Sequence, residues 1–243
     1  MAKTFITTFN KRLYDDYAHQ FLESYISTSQ TVPIVCYVEE DDVSSYPQHP
    51  NITYVNLFTA MPQCPEFVQR HSDKIWIDDS NFLQNAVRFC YKVFAQCHAG
   101  RMNSKVYFLD ADNVFCKQFP ESVLEEFLSN NIFVSFYGRQ NFTETGFLAF
   151  NCTQRTVAEE FFSRYIQYYT RDQIYTLDHK TDCHAFDATR KQMQGIPGYT
   201  EKSHGDGTIG HVIARDRNIS PYIDHKKGKR KYSAHSPEWT GNQ

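Results

Sequence analysis

The sequence predicts an α/β fold in which helices cover both faces of a mostly parallel sheet. Strand and helix patterns alternate along the first half of the chain, an order typical of such folds. Several predicted strands are continuous apolar runs, as expected for strands buried on both faces. The 243 residues are 41% hydrophobic and 22% charged, which suits a self-contained core and excludes whole-chain disorder, collagen and coiled coil.

The elements of the first half follow from the spacing of apolar residues. Short apolar runs bounded by polar residues predict strands, and apolar residues recurring every three or four positions predict helices. In order, these are a strand at 3–9, a helix at 10–29, strands at 31–38 and 51–58, a helix at 81–98 and a strand at 105–109. Gly100 is expected to end the helix that precedes it.

The second half contains fewer regular patterns. A helix is predicted at 121–129 after Pro120, strands at 132–137 and 146–151, and a long helix at 156–177 whose tyrosines are expected mainly in the core. From residue 178 onward the periodicity fades and Gly and His accumulate, which predicts loops. Because no repeat or linker interrupts the chain, we expect residues 1–243 to form a single domain with a loop-rich C-terminal third.

Composition also limits the partners and the cellular location that we expect for the protein. A net charge of −3 argues against a protein that depends mainly on nucleic-acid phosphates. The sequence has no apolar run long enough for a transmembrane segment or a signal peptide. Its seven cysteines form no CxxC pair, which favours reduced thiols and a cytoplasmic location. Four Asn-x-Ser/Thr tripeptides are therefore interpreted as chance occurrences.

Two carboxylates directly follow the buried strand at 105–109. Asp110 and Asp112 are separated by Ala111, so both side chains can face the same way on an extended chain and share one hard divalent ion. In open α/β sheets ligands bind at the carboxyl ends of strands, where this motif lies. The competing interpretation is an ordinary acidic turn, since so short a motif often arises by chance.

A basic segment near the C-terminus offers complementary chemistry. His225 is followed by KKGKRK, which alone is typical of a solvated tail or a localisation signal. Alternatively, His225 supplies a third ligand to the same ion while Gly228 and Lys231 meet a diphosphate. Glycine allows backbone N–H groups to approach phosphate closely, and lysine acts as a point charge.

Together, DAD at 110–112 and HxxGxxK at 225–231 resemble the motifs of metal-dependent glycosyltransferases of the GT-A fold. The resemblance is strongest to the retaining group that contains glycogenin and bacterial lipooligosaccharide galactosyltransferases. Thr145-Gly146 and the apolar run that follows are similar to a Thr-Gly strand of that group. The resemblance implies a GT-A fold, Mn²⁺ or Mg²⁺ held by Asp110, Asp112 and His225, and a UDP-sugar as donor.

The same resemblance implies further site residues. Within the two motifs, the donor would contact Asp110, Ala111, Gly228 and Lys231. It would also contact Arg88 and Lys92 on the helix before the DAD strand, Thr8 on the first strand and Tyr14 on the first helix. The family's Asp-Gln pair is represented only by Thr181-Asp182-Cys183. Asp182 is therefore the first candidate near the reacting sugar carbon, and Asp178 the second.

The resemblance also implies sugar transfer with retention, with an oxocarbenium-like centre that a carboxylate can stabilise. The acceptor stays open among glycan, lipid, protein and modified nucleobase, and a homodimer is compatible with the chain. The length leaves almost no room for a separate acceptor-binding domain.

Three alternatives stand beside this interpretation. A haloacid-dehalogenase-type phosphatase also places DxDx[TV] after a strand, and Gly205-Asp206-Gly207 is similar to its late motif, although a second Asp is missing. A zinc site would draw on the clustered histidines and Cys183, but their spacing forms no four-ligand pattern. The third is a nucleotide-sugar-binding protein that has lost catalysis.

Overall fold

In the computed structural model, which describes residues 2–74, 79–208 and 210–241, a mixed sheet lies between two layers of helices. The strands are β1 Lys3–Thr8, β2 Ile34–Val38, β3 Ile52–Asn56, β4 Lys105–Leu109, β5 Asn113–Phe115, β6 Val134–Tyr137, β7 Glu144–Asn151, β8 Glu201–Ser203 and β9 Ile223–His225. The α-helices are α1 Lys11–Leu13, α2 His19–Ser27, α3 Leu57–Ala60, α4 Gln63–Arg70, α5 Ala86–Met102, α6 Glu121–Phe127, α7 Arg155–Thr170, α8 Asp182–Met193 and α9 Val212–Arg215.

Seven strands form the main sheet, in the order β3-β2-β1-β4-β7-β6-β8. The pairs β1–β2, β2–β3, β1–β4 and β6–β8 are parallel, whereas β7 is antiparallel to both β4 and β6. The predicted mainly parallel α/β sheet is thus confirmed. Because β7 runs backwards, its first residues lie at the same edge as the carboxyl end of β4.

Both faces of the sheet are buried, which accounts for the continuous apolar runs. Ile6 and Phe108 belong to the core cluster on the side of α5 and α7, and Phe5 and Tyr107 to the cluster on the side of α2. The tyrosines of α7 follow the prediction of a core role, since Tyr165, Tyr168 and Tyr169 are buried.

The structure corrects the prediction that loops begin at residue 178. α8 occupies Asp182–Met193 and buries one face against α7 and α5. Its buried face includes the polar residues Asp182 and Thr189, so the apolar repeat is too weak to reveal a helix. α4 was also missed. The predicted helix at 10–29 contains a π-helical turn at Tyr14–Ala18, and the helix predicted to reach 177 ends at Thr170.

Gly100 does not end its helix, contrary to prediction, because it serves a packing role. A Cβ at this position would lie 2.0 Å from Cε2 of Phe162, a fully buried ring on α7. The glycine therefore permits α5 and α7 to approach closely. None of the described helices has the length and apolar character needed to cross a membrane.

Gly100→Ala is expected to destabilise the fold by about 1–2 kcal/mol. Alanine gains about 1 kcal/mol in helix propensity, but overpacking a buried contact costs about 1–3 kcal/mol. A 2.0 Å approach to a buried ring places that cost in the upper part of the range, at about 2–3 kcal/mol. Urea unfolding should show a lower midpoint at an unchanged slope. Met102→Ala, on an exposed side chain of the same helix, is the control and should change little. A Gly100→Ala protein as stable as wild type would contradict this account.

Candidate metal centre

A two-stranded sheet joins the two sequence motifs. β5 follows the DAD turn, and β9 ends at His225; the two strands are antiparallel, with Asn113 opposite His225. Immediately beyond this pair, the Lys226 N–H donates to the carbonyl of Asp112 at 2.9 Å. Backbone hydrogen bonds therefore hold residues 110–112 and 225–226 together, although more than a hundred residues separate them in the chain.

Asn113 fixes the turn that presents the carboxylates. Its buried side-chain Nδ2 donates to the carbonyls of Asp110, at 2.8 Å, and Gly146, at 3.2 Å. The Asp110 N–H also donates to the Gly146 carbonyl at 3.0 Å. The start of β7 is thus tied to the carboxyl end of β4. Sequence analysis did not single out Asn113. The only feature that marks it in the sequence is that it is a polar residue directly before the apolar pair Val114-Phe115.

Asp110, Asp112 and His225 converge at this point. One ligand atom from each lies within 4.8 Å of the others, and among the described residues this is the only such group of three His, Cys, Asp or Glu side chains. His225 Nε2 lies 3.2 Å from Asp112 Oδ1 and 3.9 Å from Asp110 Oδ2. Asp112 Oδ1 and His225 Nδ1 are buried without a hydrogen-bond partner in the described part of the chain. Two carboxylates and an imidazole, two of whose buried atoms lack a hydrogen-bond partner, fit a divalent ion such as Mn²⁺.

Electrostatic interactions favour the charged forms of Asp112 and His225 despite their burial. Burial alone would raise the pKa of Asp112, but His225 and Lys231 hold it well below its usual range. Burial would lower the pKa of His225, yet the Asp112 carboxylate outweighs it and the pKa is raised. For Asp110, burial prevails over the nearby Lys92 and raises the pKa. A bound divalent ion would displace the proton that Asp112 favours on His225.

Two lysines contact the carboxylates of this group. Lys92 Nζ lies 2.7 Å from Asp110 Oδ1 and 2.8 Å from Asp182 Oδ2. Burial opposes its charge, but the two carboxylates raise the pKa of Lys92 above its ordinary value. Lys231 Nζ lies 3.4 Å from Asp112 Oδ2 and 3.6 Å from the centre of the Tyr17 ring.

Asp182 is held at the edge of the same cluster. It is the first residue of α8, is buried, and accepts a 2.6 Å hydrogen bond from Thr145 Oγ1. Asp178 lies in a different environment: its side chain is exposed, and its carbonyl accepts from Gln84 Nε2 at 3.1 Å. The structure therefore distinguishes the two candidate carboxylates: Asp182 is buried at the edge of the cluster, whereas Asp178 is exposed.

Glu144 is a buried charge that sequence analysis missed. Its carboxylate lies 3.1 Å from Lys227 Nζ and 3.0 Å from Arg139 Nη1. Burial would raise the pKa of Glu144, but the charges of Lys227, His225 and Arg139 lower it to about 2. The sequence offered one hint, because Glu144 immediately precedes the Thr145-Gly146 pair.

The structure gives other neighbours for three further predicted donor residues. Thr8 ends β1 and is half-buried, Tyr14 packs on Tyr46 at 4.7 Å between ring centres, and Arg88 lies over the Phe82 ring at 4.7 Å.

Two further predicted residues belong to the motifs themselves. Ala111 is buried between the two carboxylates, and exposed Gly228, at φ +64°, opens a 3₁₀ turn, Gly228–Tyr232. Glycine suits that left-handed conformation.

Gly146 determines how closely His225 can approach. A Cβ on residue 146 would lie 2.5 Å from His225 Cε1, and the imidazole is itself buried. Gly146→Ala is therefore expected to displace the imidazole and weaken Mn²⁺ binding by about 10–100-fold, the range for losing a group that orients a ligand. Titration of Mn²⁺ by electron paramagnetic resonance measures this. Gly100→Ala adds the same methyl group away from the cluster and should bind normally. Equal affinity of both variants would refute the assignment.

The alternative motifs are not assembled here. Asp206 accepts from Thr208 Oγ1 at 2.7 Å and lies 3.4 Å from Arg215 Nη2, an arrangement separate from Asp110. His179 and His184 contact each other, with ring centres 4.8 Å apart, but no third ligand joins them among the residues described. Neither the late phosphatase motif nor a zinc centre therefore forms in the described part of the chain.

No family model and no curated protein matches the sequence. Solved structures do match. Mouse xyloside xylosyltransferase 1 in its apo form is 8% identical, covers 84% of this chain and 85% of its own, and gives a TM-score of 0.51. An active-site mutant of LgtC is 11% identical over 93% and 87%, with a TM-score of 0.53. The galactosyltransferase LgtC with donor and acceptor sugar analogues is 12% identical over 93% and 87%, with a TM-score of 0.50. At these identities the likeness establishes the fold: this chain has the GT-A glycosyltransferase fold.

Proposed function

We propose that this protein is a glycosyltransferase that moves a sugar from a nucleoside diphosphate, with a UDP-sugar as donor and Mn²⁺ or Mg²⁺ as cofactor. One observation carries the proposal: two motifs distant in sequence supply Asp110, Asp112 and His225 to a single cluster at the carboxyl end of β4. Ligands bind at that edge in open α/β sheets, and the chain has a GT-A fold. Residues 1–243 would form one catalytic domain.

In this reaction the leaving diphosphate must be stabilised as its negative charge grows. A bound divalent ion supplies Lewis acidity and a template for the diphosphate oxygens. Lys231 adds a fixed positive charge beside Asp112, and Gly228 lets the backbone approach phosphate. Lys92 holds the Asp110 and Asp182 carboxylates in place through its two ion pairs.

Asp182 is the carboxylate we propose nearest the reacting sugar carbon. It is buried, hydrogen-bonded by Thr145 and joined to Asp110 through Lys92, whereas Asp178 is exposed. A fixed anion there would stabilise the positive charge that develops on the sugar ring. Transfer with retention is part of the proposal and depends on the motif resemblance. The acceptor stays open among glycan, lipid, protein and modified nucleobase.

A panel of UDP-sugars tests the proposal. Each sugar is incubated with the protein and Mn²⁺, Mg²⁺ or EDTA, and released UDP is measured. We expect one or two donors to be hydrolysed slowly, only with metal present, because water replaces the missing acceptor. If UDP and Mn²⁺ bind but no donor is cleaved, with or without added acceptors, the nucleotide-sugar-binding alternative is correct instead.

A further inference from the structure

Four carboxylates lie in or beside the cluster, and each contacts a cationic side chain of the protein. Asp110 and Asp182 share Lys92, Asp112 contacts Lys231, and Glu144 contacts both Lys227 and Arg139. Four carboxylates therefore face four lysine or arginine side chains, before any charge on His225 is counted. The protein's own cations thus balance the negative charge of these four carboxylates.

Lys231 is held in place by its own contacts and by those of the turn that carries it. Its side chain is only 18% exposed, and its ammonium lies between Asp112 Oδ2 and the Tyr17 ring. The turn that carries it is anchored on both sides. Lys227 pairs with Glu144 before the turn, and the Tyr232 hydroxyl donates to Asp16 at its end. These contacts place the Lys231 ammonium beside Asp112.

A divalent ion and Lys231 compete for the same carboxylate. An ion bound between Asp110, Asp112 and His225 would place two positive charges within a few ångströms of the ammonium, in a partly buried setting where repulsion is strong. A diphosphate removes this conflict, because its oxygens offer the lysine a new anionic partner. Metal and diphosphate together add little net charge to an already balanced cluster.

We propose that Lys231 is the internal counter-ion of Asp112 in the free protein and transfers to the diphosphate when the donor binds, so that metal and nucleotide bind cooperatively. This inference rests on the proposed function, since it takes a nucleoside diphosphate as ligand. Lys231 would oppose the metal when it binds alone and favour it when nucleotide is present. The two effects have opposite signs, which a purely structural role would not produce.

Mn²⁺ binding with and without UDP tests this directly. Free Mn²⁺ is measured by electron paramagnetic resonance for wild type, Lys231→Met and Lys229→Met. Lys229 is exposed in the same turn, so its replacement removes the same charge without touching Asp112. We expect Lys231→Met to bind Mn²⁺ alone about 10-fold more tightly than wild type, and UDP to enhance its Mn²⁺ binding about 10-fold less, within the usual range of coupling between sites. Lys229→Met should match wild type in both.

The proposal is overturned if Lys231→Met binds Mn²⁺ no more tightly than wild type does. It is also overturned if neither protein binds Mn²⁺. The same follows if UDP enhances Mn²⁺ binding equally in both. Thermal unfolding of each variant shows whether the fold is retained, and Lys231→Gln provides a polar second replacement. Because these readouts need no turnover, an absence of UDP-sugar cleavage would refute the proposed function while leaving this inference standing.

Discussion

Asp112→Asn and His225→Ala are each expected to reduce metal-dependent cleavage of a UDP-sugar by more than about 100-fold. Loss of a group that merely orients a metal ligand costs about 10–100-fold, so loss of a ligand should cost more. In the three-residue cluster His225 Nε2 lies 3.2 Å from Asp112 Oδ1, and His225 is the only imidazole of the three. The rate of UDP release and the dissociation constant for Mn²⁺ should change together, because both depend on the same ion.

Asp206→Asn is the matched control for Asp112→Asn. It removes one carboxylate charge from an exposed ion pair, which contributes little to stability. Its activity should equal that of wild type under the glycosyltransferase proposal, whereas a phosphatase using the late Gly-Asp motif would lose activity. Full activity of Asp112→Asn or His225→Ala at saturating Mn²⁺ would refute the metal assignment.

Lys92→Met is expected to lower the free energy of unfolding by about 3–5 kcal/mol, the cost of removing one partner from a buried ion pair. The Lys92 side chain is 16% exposed, and its ammonium separates Asp110 from Asp182, whose side chain is 4% exposed. Without it two carboxylates would face each other with little water. Urea unfolding in metal-free buffer measures the effect without interference from a bound ion.

The double variant Lys92→Met/Asp182→Asn should recover part of that loss, since it removes the carboxylate left unpaired. Lys229→Met, which removes an exposed lysine, should unfold like wild type. A loss below about 1 kcal/mol for Lys92→Met would mean that the bridge behaves as a surface ion pair and that the carboxylates tolerate each other.

Local patterns allowed most strands of the sheet and the residues of the candidate metal centre to be predicted. The strands predicted at 105–109 and 31–38 are apolar because both faces of the sheet are covered, so that consecutive residues are buried and the run is visible in the sequence. Asp110, Asp112, His225 and Lys231 belong to two compact motifs, so their types and spacing were visible. Their convergence in one place was one of two interpretations of the basic segment and was favoured by the resemblance, because no local pattern encodes the pairing of β5 with β9.

What the sequence concealed depends on contacts between distant segments. α8 escaped detection because its buried face contains Asp182 and Thr189, whose burial is stabilised by partners on other elements. Glu144 and Tyr17 were missed for the same reason: their roles arise from Lys227 and Lys231, which lie far along the chain. Gly100 misled the prediction because a glycine that allows close helix packing has the same sequence signal as one that ends a helix.

The pairing of β5 with β9 has a consequence for synthesis of the protein. The DAD turn emerges from the ribosome long before its imidazole partner, since 113 positions separate Asp112 from His225. At translation rates of about 5–20 residues per second, the carboxylates wait roughly 6–23 seconds for that strand. During this interval the nascent chain lacks His225, Lys227 and Lys231 but already contains Lys92. Under the proposed function, all three residues could hold an ion only after this interval, and until then the carboxylates depend on a lysine synthesised before them.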